Sequence, residues 1–193
     1  MINLIIFILI VLFWLLFLGR TAMLMRQGVK VFTLGKGKPF LQKVLEIFIL
    51  PLFTLWTLQI ILTSLELELF SLPRFWSSKI TAWVGVALCI IGLLIFLFAL
   101  IAFGNSWRVG IDEEKSGKLV TRGIFAFSRN PIFLFMNLFF AGIFLACPNI
   151  IFLAFFLCFS VGIHIQILNE ERFLRSKFGD DYKNYCQKVR RYI

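Results

Sequence analysis

Five long runs of apolar residues dominate the chain, and short polar segments between them carry most of its charge. A bilayer core contains no water for backbone N–H and C=O groups, so a chain that crosses it must satisfy them internally, as a helix does. Each run approaches or exceeds the roughly 20 residues that a transmembrane helix needs. We therefore predict an all-α membrane protein with about five transmembrane helices, at residues 2–18, 44–63, 80–103, 132–147 and 150–168.

The charge pattern predicts how these helices are oriented. A net charge of +10 would also suit a nucleic-acid-binding protein, but 60% of the residues are hydrophobic, against about 45–50% in soluble domains. We therefore expect no nucleic acid partner. Eighteen of the 20 basic residues lie in segments 19–43, 104–131 and 169–193, which five alternating spans bring to one side. The positive-inside rule makes that side cytoplasmic, with the N-terminus outside and the C-terminus inside.

This topology divides the chain into two parts. Residues 1–103 are expected to hold three N-terminal transmembrane helices and the basic cytoplasmic loop 19–43. The first run lacks a basic leader and a small-residue cleavage site, so we expect it to be retained. Residues 104–193 form the second part, in which the turn Pro148-Asn149 joins the last two spans into a helical hairpin.

The polar tail is expected to form amphipathic helices on the cytoplasmic surface. Gly179 is a candidate helix cap, and a helix that starts at Asp180 would align Tyr182, Tyr185 and Val189 on one stripe. No metal site is expected, because the four cysteines show no CxxC spacing and the chain has one histidine.

A first polar patch precedes the fourth span as Arg129-Asn130-Pro131. Proline is favoured in the first turn of a helix, so this helix should begin here. Its free N–H groups and partial positive charge could hold a carboxylate or phosphate. The alternative is that Arg129 is an interface anchor whose charged end reaches out to water.

A second polar patch follows the fifth span as Asn169-Glu170-Glu171. One of these carboxylates could accept hydrogen bonds from the hydroxyls or ammonium of a ligand, beside the amide of Asn169. The alternative is a solvated helix face, with Glu171 paired to Arg175 at i, i+4. His164 shares a face with Glu171 at i, i+7, either towards a cavity or buried against a neighbouring helix.

Aromatic residues lie near both patches, namely Trp107, Phe125, Phe127 and Phe133. Their ring faces would attract a cationic ligand. However, the chain contains 25 Phe, so one near any site is expected by chance. Trp107 could equally be an interface residue of the membrane belt.

Five motifs follow one another in residues 104–193: Gly-Asn-Ser-Trp at 104–107, Leu-Val-Thr-Arg-Gly-Ile-Phe at 119–125, Ser-Arg-Asn-Pro-Ile-Phe at 128–133, Glu-Glu at 170–171 and Phe-Gly-Asp-Asp-Tyr-Lys-Asn-Tyr at 178–185. Taken in this order, they resemble the isoprenylcysteine carboxyl methyltransferase family and its phospholipid methyltransferase relatives. Three positions depart from the family pattern: Asn130 replaces a common histidine, and Phe125 and Phe133 replace common tyrosines.

The resemblance implies a membrane-embedded methyltransferase that uses S-adenosylmethionine. It implies catalytic roles for Arg129 and Glu170, and an acceptor site that we assign to Trp107, Arg129, Phe133 and His164. The implied cofactor site comprises Leu119, Val120, Gly123, Phe125, Phe127, Asn130, Asn169, Glu170 and Glu171.

The acceptor is expected to be a lipophilic small molecule or a lipid that enters from the bilayer, and its methylated atom stays open. A prenylcysteine carboxylate, a phospholipid amine and an isoprenoid are all compatible. Membrane lipids are expected partners of the basic surface. The alternatives are an NADPH-dependent membrane enzyme similar to sterol reductases, and a non-catalytic membrane scaffold or transporter.

Overall fold

In the computed structural model, the described residues are 1–32, 40–67, 72–104, 107 and 119–193, with side chains given for only part of 40–50. The predicted basic loop 19–43 and the second basic segment, 104–131, lie partly outside these residues. The described residues fold into five α-helices and a short 3₁₀ helix at Gly123–Ala126. The α-helices are α1 (Ile2–Arg26), α2 (Phe40–Ser64), α3 (Lys79–Phe103), α4 (Pro131–Ala146) and α5 (Ile150–Lys188). The predicted all-α fold is confirmed.

Three of these helices, α1, α3 and α5, are long and apolar enough to cross a membrane. The apolar stretches of α2 and α4 are shorter, and the 16 residues of α4 extend about 24 Å at ~1.5 Å per residue, less than a ~30 Å hydrocarbon core. Two helices extend well beyond the C-terminal ends of the predicted spans: α1 continues to Arg26, and α5 continues past the apolar residues 150–168 into the polar tail. Hydropathy marks where a helix leaves lipid, not where it ends.

The α3–α4 pair is held by a close glycine contact. A Cβ atom added at Gly142 would lie 2.6 Å from both the Sγ of Cys89 and the carbonyl oxygen of Gly85. Small residues at this crossing let the two backbones touch, which is a common means of helix association in membranes. The contact therefore fixes α4, whose first residues belong to the candidate site.

Aromatic rings fill the space between the helices. Phe96 of α3 stacks on Phe135 of α4 with centroids 4.7 Å apart, and Phe140 of α4 stacks on Phe159 of α5 at 4.5 Å. Phe13 of α1 contacts the same group at 5.5 Å from Phe135. The high phenylalanine content is thus largely core packing.

The hairpin between α4 and α5 and the break at Gly179 are both as predicted. Asn149 caps α5 by accepting a hydrogen bond from the Phe152 N–H at 3.0 Å. Gly179 has φ +50° and ψ −120°, a non-helical conformation inside the range of α5. The last turns beyond it bury Tyr182, Tyr185 and Val189 as a small cluster, on the stripe that the sequence predicts.

Candidate functional site

The last residues of the chain lie across the loop that leads into α4. We call residues 189–193 the C-terminal strap. The backbone N–H of Arg129 donates to the Arg190 carbonyl at 3.1 Å, and the side-chain amide of Asn130 donates to the Arg191 carbonyl at 3.1 Å. The Ser128 hydroxyl donates to the same carbonyl at 3.4 Å. The start of α4 is therefore fixed by the strap as well as by Pro131.

A buried carboxylate joins α5, the strap and the start of α4. Glu171 is 5% exposed. Arg191 donates from Nε to its Oε1 at 3.1 Å and from Nη2 to its Oε2 at 2.9 Å, a two-bond contact. Arg129 Nη2 lies 3.3 Å from Oε1. The two polar patches that the sequence identified thus meet directly, through Arg129 and Glu171.

This arrangement keeps Glu171 ionised. Burial alone would raise the pKa of the Glu171 carboxyl, but hydrogen bonds from Arg191 and Asn130 and the charges of both arginines outweigh it. The net effect is a pKa below the ordinary value. The pKa of Arg191 is raised, chiefly because Glu171 accepts its hydrogen bonds. The cluster therefore holds two positive charges and one negative charge.

Arg129 retains one donor that the described residues do not satisfy. Its Nη2 faces Glu171, and its Nη1 donates to the Sγ of Cys186. Its Nε is buried without a hydrogen-bond partner. Native proteins leave few buried polar atoms unpaired, so such a group at a candidate site merits a functional explanation.

The 3₁₀ helix is tied to the tail by Tyr185. The Tyr185 hydroxyl donates to the Phe125 carbonyl at 2.6 Å, and the Phe125 ring packs on Phe103 of α3 at 4.6 Å. Burial raises the pKa of Tyr185 to about 12, so the hydroxyl remains a donor at physiological pH. Leu119 packs against the same tail cluster.

The structure corrects two of the alternatives raised by the sequence. Glu171 is not on a solvated face and pairs with Arg129 and Arg191, not with Arg175. His164 is exposed rather than buried against a neighbouring helix, and its Nδ1 lies 3.1 Å from the hydroxyl of Tyr192 in the strap. In each case the strap supplies a partner, Arg191 for Glu171 and Tyr192 for His164.

Arg191 is the residue that sequence reasoning missed, because nothing local connects it to a residue 20 positions earlier. A signal for the burial of Glu171 was present, however. Ile163 and Ile167 are buried on α5, and Glu171 continues their i, i+4 stripe. A carboxylate on the buried stripe of a helix needs a cationic partner.

The remaining predicted residues occupy different surroundings. Glu170 is turned about 100° from Glu171 around the helix and is half-buried. Asn169 accepts a hydrogen bond from Arg172 at 3.4 Å. Trp107 is buried with its ring edge against Phe17 of α1, centroids 5.5 Å apart, and Phe133 packs partly buried on the main core. These positions remain predictions as site residues.

An apolar recess of about 420 Å³ opens beside the 3₁₀ helix. Gly123 and Phe127 line it together with residues from the last turns of α3, including Phe98 and Ile101. Phe127 is 75% exposed and Ile101 is 67% exposed, as lipid-facing side chains are. Arg122 is also part of the lining, so a charged group borders this recess.

The donor set fits the methyl donor that the resemblance implies. That molecule carries a carboxylate, an ammonium, a ribose diol and a sulfonium. Arg129 has an unsatisfied Nε–H beside the N-terminus of α4, which suits the carboxylate. Glu170 offers an acidic group for the diol or the ammonium, and the cluster around Glu171 has an excess positive charge for an anion.

Comparison with known proteins identifies the family. The sequence profile of the phospholipid methyltransferase family matches residues 80–181, which is more than half of the chain. The chain belongs to this family. The match begins in α3 and ends just beyond Gly179, so this family region contains the 3₁₀ helix, Arg129 and both glutamates, while the strap lies outside it. The resemblance predicted from the motifs is confirmed.

Two proteins from rice are similar to this phospholipid methyltransferase family member. The probable protein-S-isoprenylcysteine O-methyltransferases of Oryza sativa subsp. indica and subsp. japonica are each 31% identical over 121 residues. The matched region covers 61% of this chain and 62% of each relative. An uncharacterised protein of Haemophilus influenzae is 61% identical over 28 residues, 14% of this chain and 44% of that protein. No solved structure matches the chain.

Proposed function

We propose that the protein transfers a methyl group from S-adenosylmethionine to a lipophilic acceptor that arrives from the bilayer. One observation carries the proposal. Within the methyltransferase family region, Arg129 at the start of α4 lies 3.3 Å from Glu171, which follows Glu170 on α5. Gly123 and Phe127, shortly before Arg129 in the chain, line the lipid-facing recess.

The two glutamates have different proposed roles. Both Glu171 oxygens are held by arginines, so its main task is to position Arg129 and the strap. Glu170 is then the carboxylate proposed to contact the ribose diol or the ammonium of the donor. Arg129, through its remaining Nε–H, and the N-terminus of α4 would bind the donor carboxylate.

The bound donor supplies an activated methyl group on a positively charged sulfur. The protein therefore mainly has to hold the acceptor atom in line with it and exclude water. The recess lined by Phe98, Ile101 and Phe127 suits the apolar part of an acceptor. A carboxylate acceptor needs no base, whereas an ammonium acceptor must first lose a proton, for which Glu170 is the proposed base.

Binding of the donor is tested by titrating detergent-purified protein with S-adenosylmethionine, S-adenosylhomocysteine and NADPH. We expect the two sulfur ligands to bind and NADPH not to bind. Glu170→Gln is expected to weaken binding about tenfold, the loss of one hydrogen bond to a charged group. Binding of NADPH alone would replace this proposal with a reductase, and binding of no ligand would support a scaffold or transporter.

The acceptor class is tested with donor carrying a radioactive methyl group. A farnesylated cysteine derivative would become a methyl ester, which releases volatile methanol in base. Phosphatidylethanolamine would become an N-methyl amine, which is stable in base. Base-labile label in the first acceptor assigns carboxyl methylation, and base-stable label in the second assigns amine methylation. Label in neither, with donor binding intact, would exclude both of these acceptors.

A further inference from the structure

A second recess, of about 390 Å³, lies at the opposite end of the helices from the candidate site. It is bounded by the first residues of α1, by residues 74–79 before and at the start of α3, and by the turn after α4. The 16 residues of α4 separate the two ends by about 24 Å at ~1.5 Å per residue. The two recesses are therefore independent sites.

This second recess is basic. Arg74 and Lys79 line it, both with exposed side chains, and the lining residues within the described part of the chain include no acid. Asn3, which also lines it, donates from its amide to the Glu66 carboxylate at 3.2 Å. We call this site the basic recess. Two cations without an acid in the lining favour an anionic occupant.

The segment that carries these cations is held in place by three contacts. The N–H of Phe75 donates to the Pro148 carbonyl at 2.8 Å, and the Trp76 indole donates to the Thr81 hydroxyl at 3.1 Å. The Ser78 hydroxyl caps α3 by accepting from the Thr81 N–H at 3.4 Å. Lys79 is the first residue of α3, where the helix dipole adds to the positive potential.

The surface next to the basic recess is apolar and exposed. Ile80, Trp83 and Val84 follow Lys79 on α3, and each exposes a large part of its side chain. Met1, Trp76 and Trp83 also line the recess itself. Tryptophan is enriched where a membrane meets water, at the level of lipid headgroups. A ligand with a phosphate and hydrocarbon chains would match both surfaces, whereas free phosphate would use only the cations.

We propose that the basic recess binds the headgroup of an anionic phospholipid. Arg74 and Lys79 contact the lipid phosphate, and the acyl chains lie along the exposed face of α3 that starts at Ile80. A volume of about 390 Å³ is at the lower end of the range for small-molecule sites, which suits a glycerophosphate headgroup. This site does not depend on the proposed methyl transfer.

The test is native mass spectrometry of the full-length protein with phosphatidylglycerol and phosphatidylcholine of identical acyl chains. The wild type is expected to retain phosphatidylglycerol more tightly. One basic residue near a lipid surface contributes about fivefold in affinity, so Arg74→Gln/Lys79→Gln should lose about 25-fold. The charge-matched control Arg175→Gln/Lys183→Gln removes two exposed cations outside the recess and should lose less than twofold.

Further variants separate binding from folding. The exchange Arg74→Lys/Lys79→Arg keeps both charges and should retain the lipid. Each single glutamine variant should lose about fivefold, so a poorly folded double variant would still leave the proposal testable. Unchanged retention by the double variant, or equal retention of both lipids by the wild type, would refute the site. Release of the lipid by inorganic phosphate, dependent on Arg74, would make the site one for free phosphate and overturn the lipid assignment.

Discussion

Glu171→Gln is expected to destabilise the protein by about 3 kcal/mol, a larger loss than that from Glu170→Gln at the half-buried neighbouring residue. Glu171 is buried, and its carboxylate is shared by two arginine side chains that are 11% and 35% exposed. Removing one partner of a buried ion pair costs roughly 3–5 kcal/mol because the remaining charge is left uncompensated. The partial exposure of Arg191 places the loss at about the lower end of that range, since water screens that arginine.

The assay is thermal unfolding in detergent, without ligand. For a chain of this size a loss of about 3 kcal/mol lowers the melting temperature by about 6–12 °C. The matched variant Glu170→Gln removes the same charge from the less buried residue one position earlier, and its melting temperature should fall clearly less. Equal melting temperatures for the two variants would refute the claim that Glu171, and not Glu170, holds the strap to α4.

Three further outcomes are expected. Gly142→Ala should lower the melting temperature by at least about 5 °C, because the added Cβ would lie 2.6 Å from atoms of α3. The control Gly162→Ala has open space around the added Cβ and should not lower it. Equal shifts in the two variants would contradict the close contact. Tyr185→Phe should cost about 1–3 kcal/mol in unfolding measurements by leaving the buried Phe125 carbonyl without its 2.6 Å donor, and no loss would contradict this bond. The pKa of Glu171 is lower in the folded protein than its unfolded value of about 4.5. The stability that its ionised carboxylate contributes is therefore present above that unfolded pKa and is lost as the pH falls through the folded pKa. In Glu171→Gln the melting temperature should depend less on pH in this acid range, and an unchanged dependence would contradict the reasoning.

The fold was largely predictable because a membrane restricts it so strongly. Apolar runs mark helices, Pro131 marks the start of α4, and Gly179 marks the break near the end of α5. The ends of α1 and α5 were not predictable from hydropathy. Both helices continue into polar sequence, where packing and helix propensity, not transfer to lipid, decide where they stop.

The candidate site was predictable only in part. Its two polar patches were recognisable, and they meet in the structure at Arg129 and Glu171. The i, i+4 stripe of Ile163 and Ile167 pointed to Glu171 as the buried glutamate, but no pattern in the sequence showed which arginine pairs with it. Arg191 lies in a segment with no periodic pattern, and its contacts depend on how the chain returns to α4.

The charge of this cluster bears on how a methyl donor would be oriented. One carboxylate between two arginines leaves an excess positive charge beside the N-terminus of α4, which is itself partially positive. A sulfonium placed there would be repelled, and the donor's carboxylate would be attracted. The orientation consistent with the proposed function therefore has the amino-acid carboxylate at Arg129 and the sulfonium away from it, towards the lipid-facing recess. Neutralising the excess charge with Arg129→Gln should then weaken binding of S-adenosylmethionine and S-adenosylhomocysteine about equally, since both carry the same carboxylate. A gain in affinity confined to S-adenosylmethionine would show that its sulfonium lies at Arg129 and that this orientation is wrong.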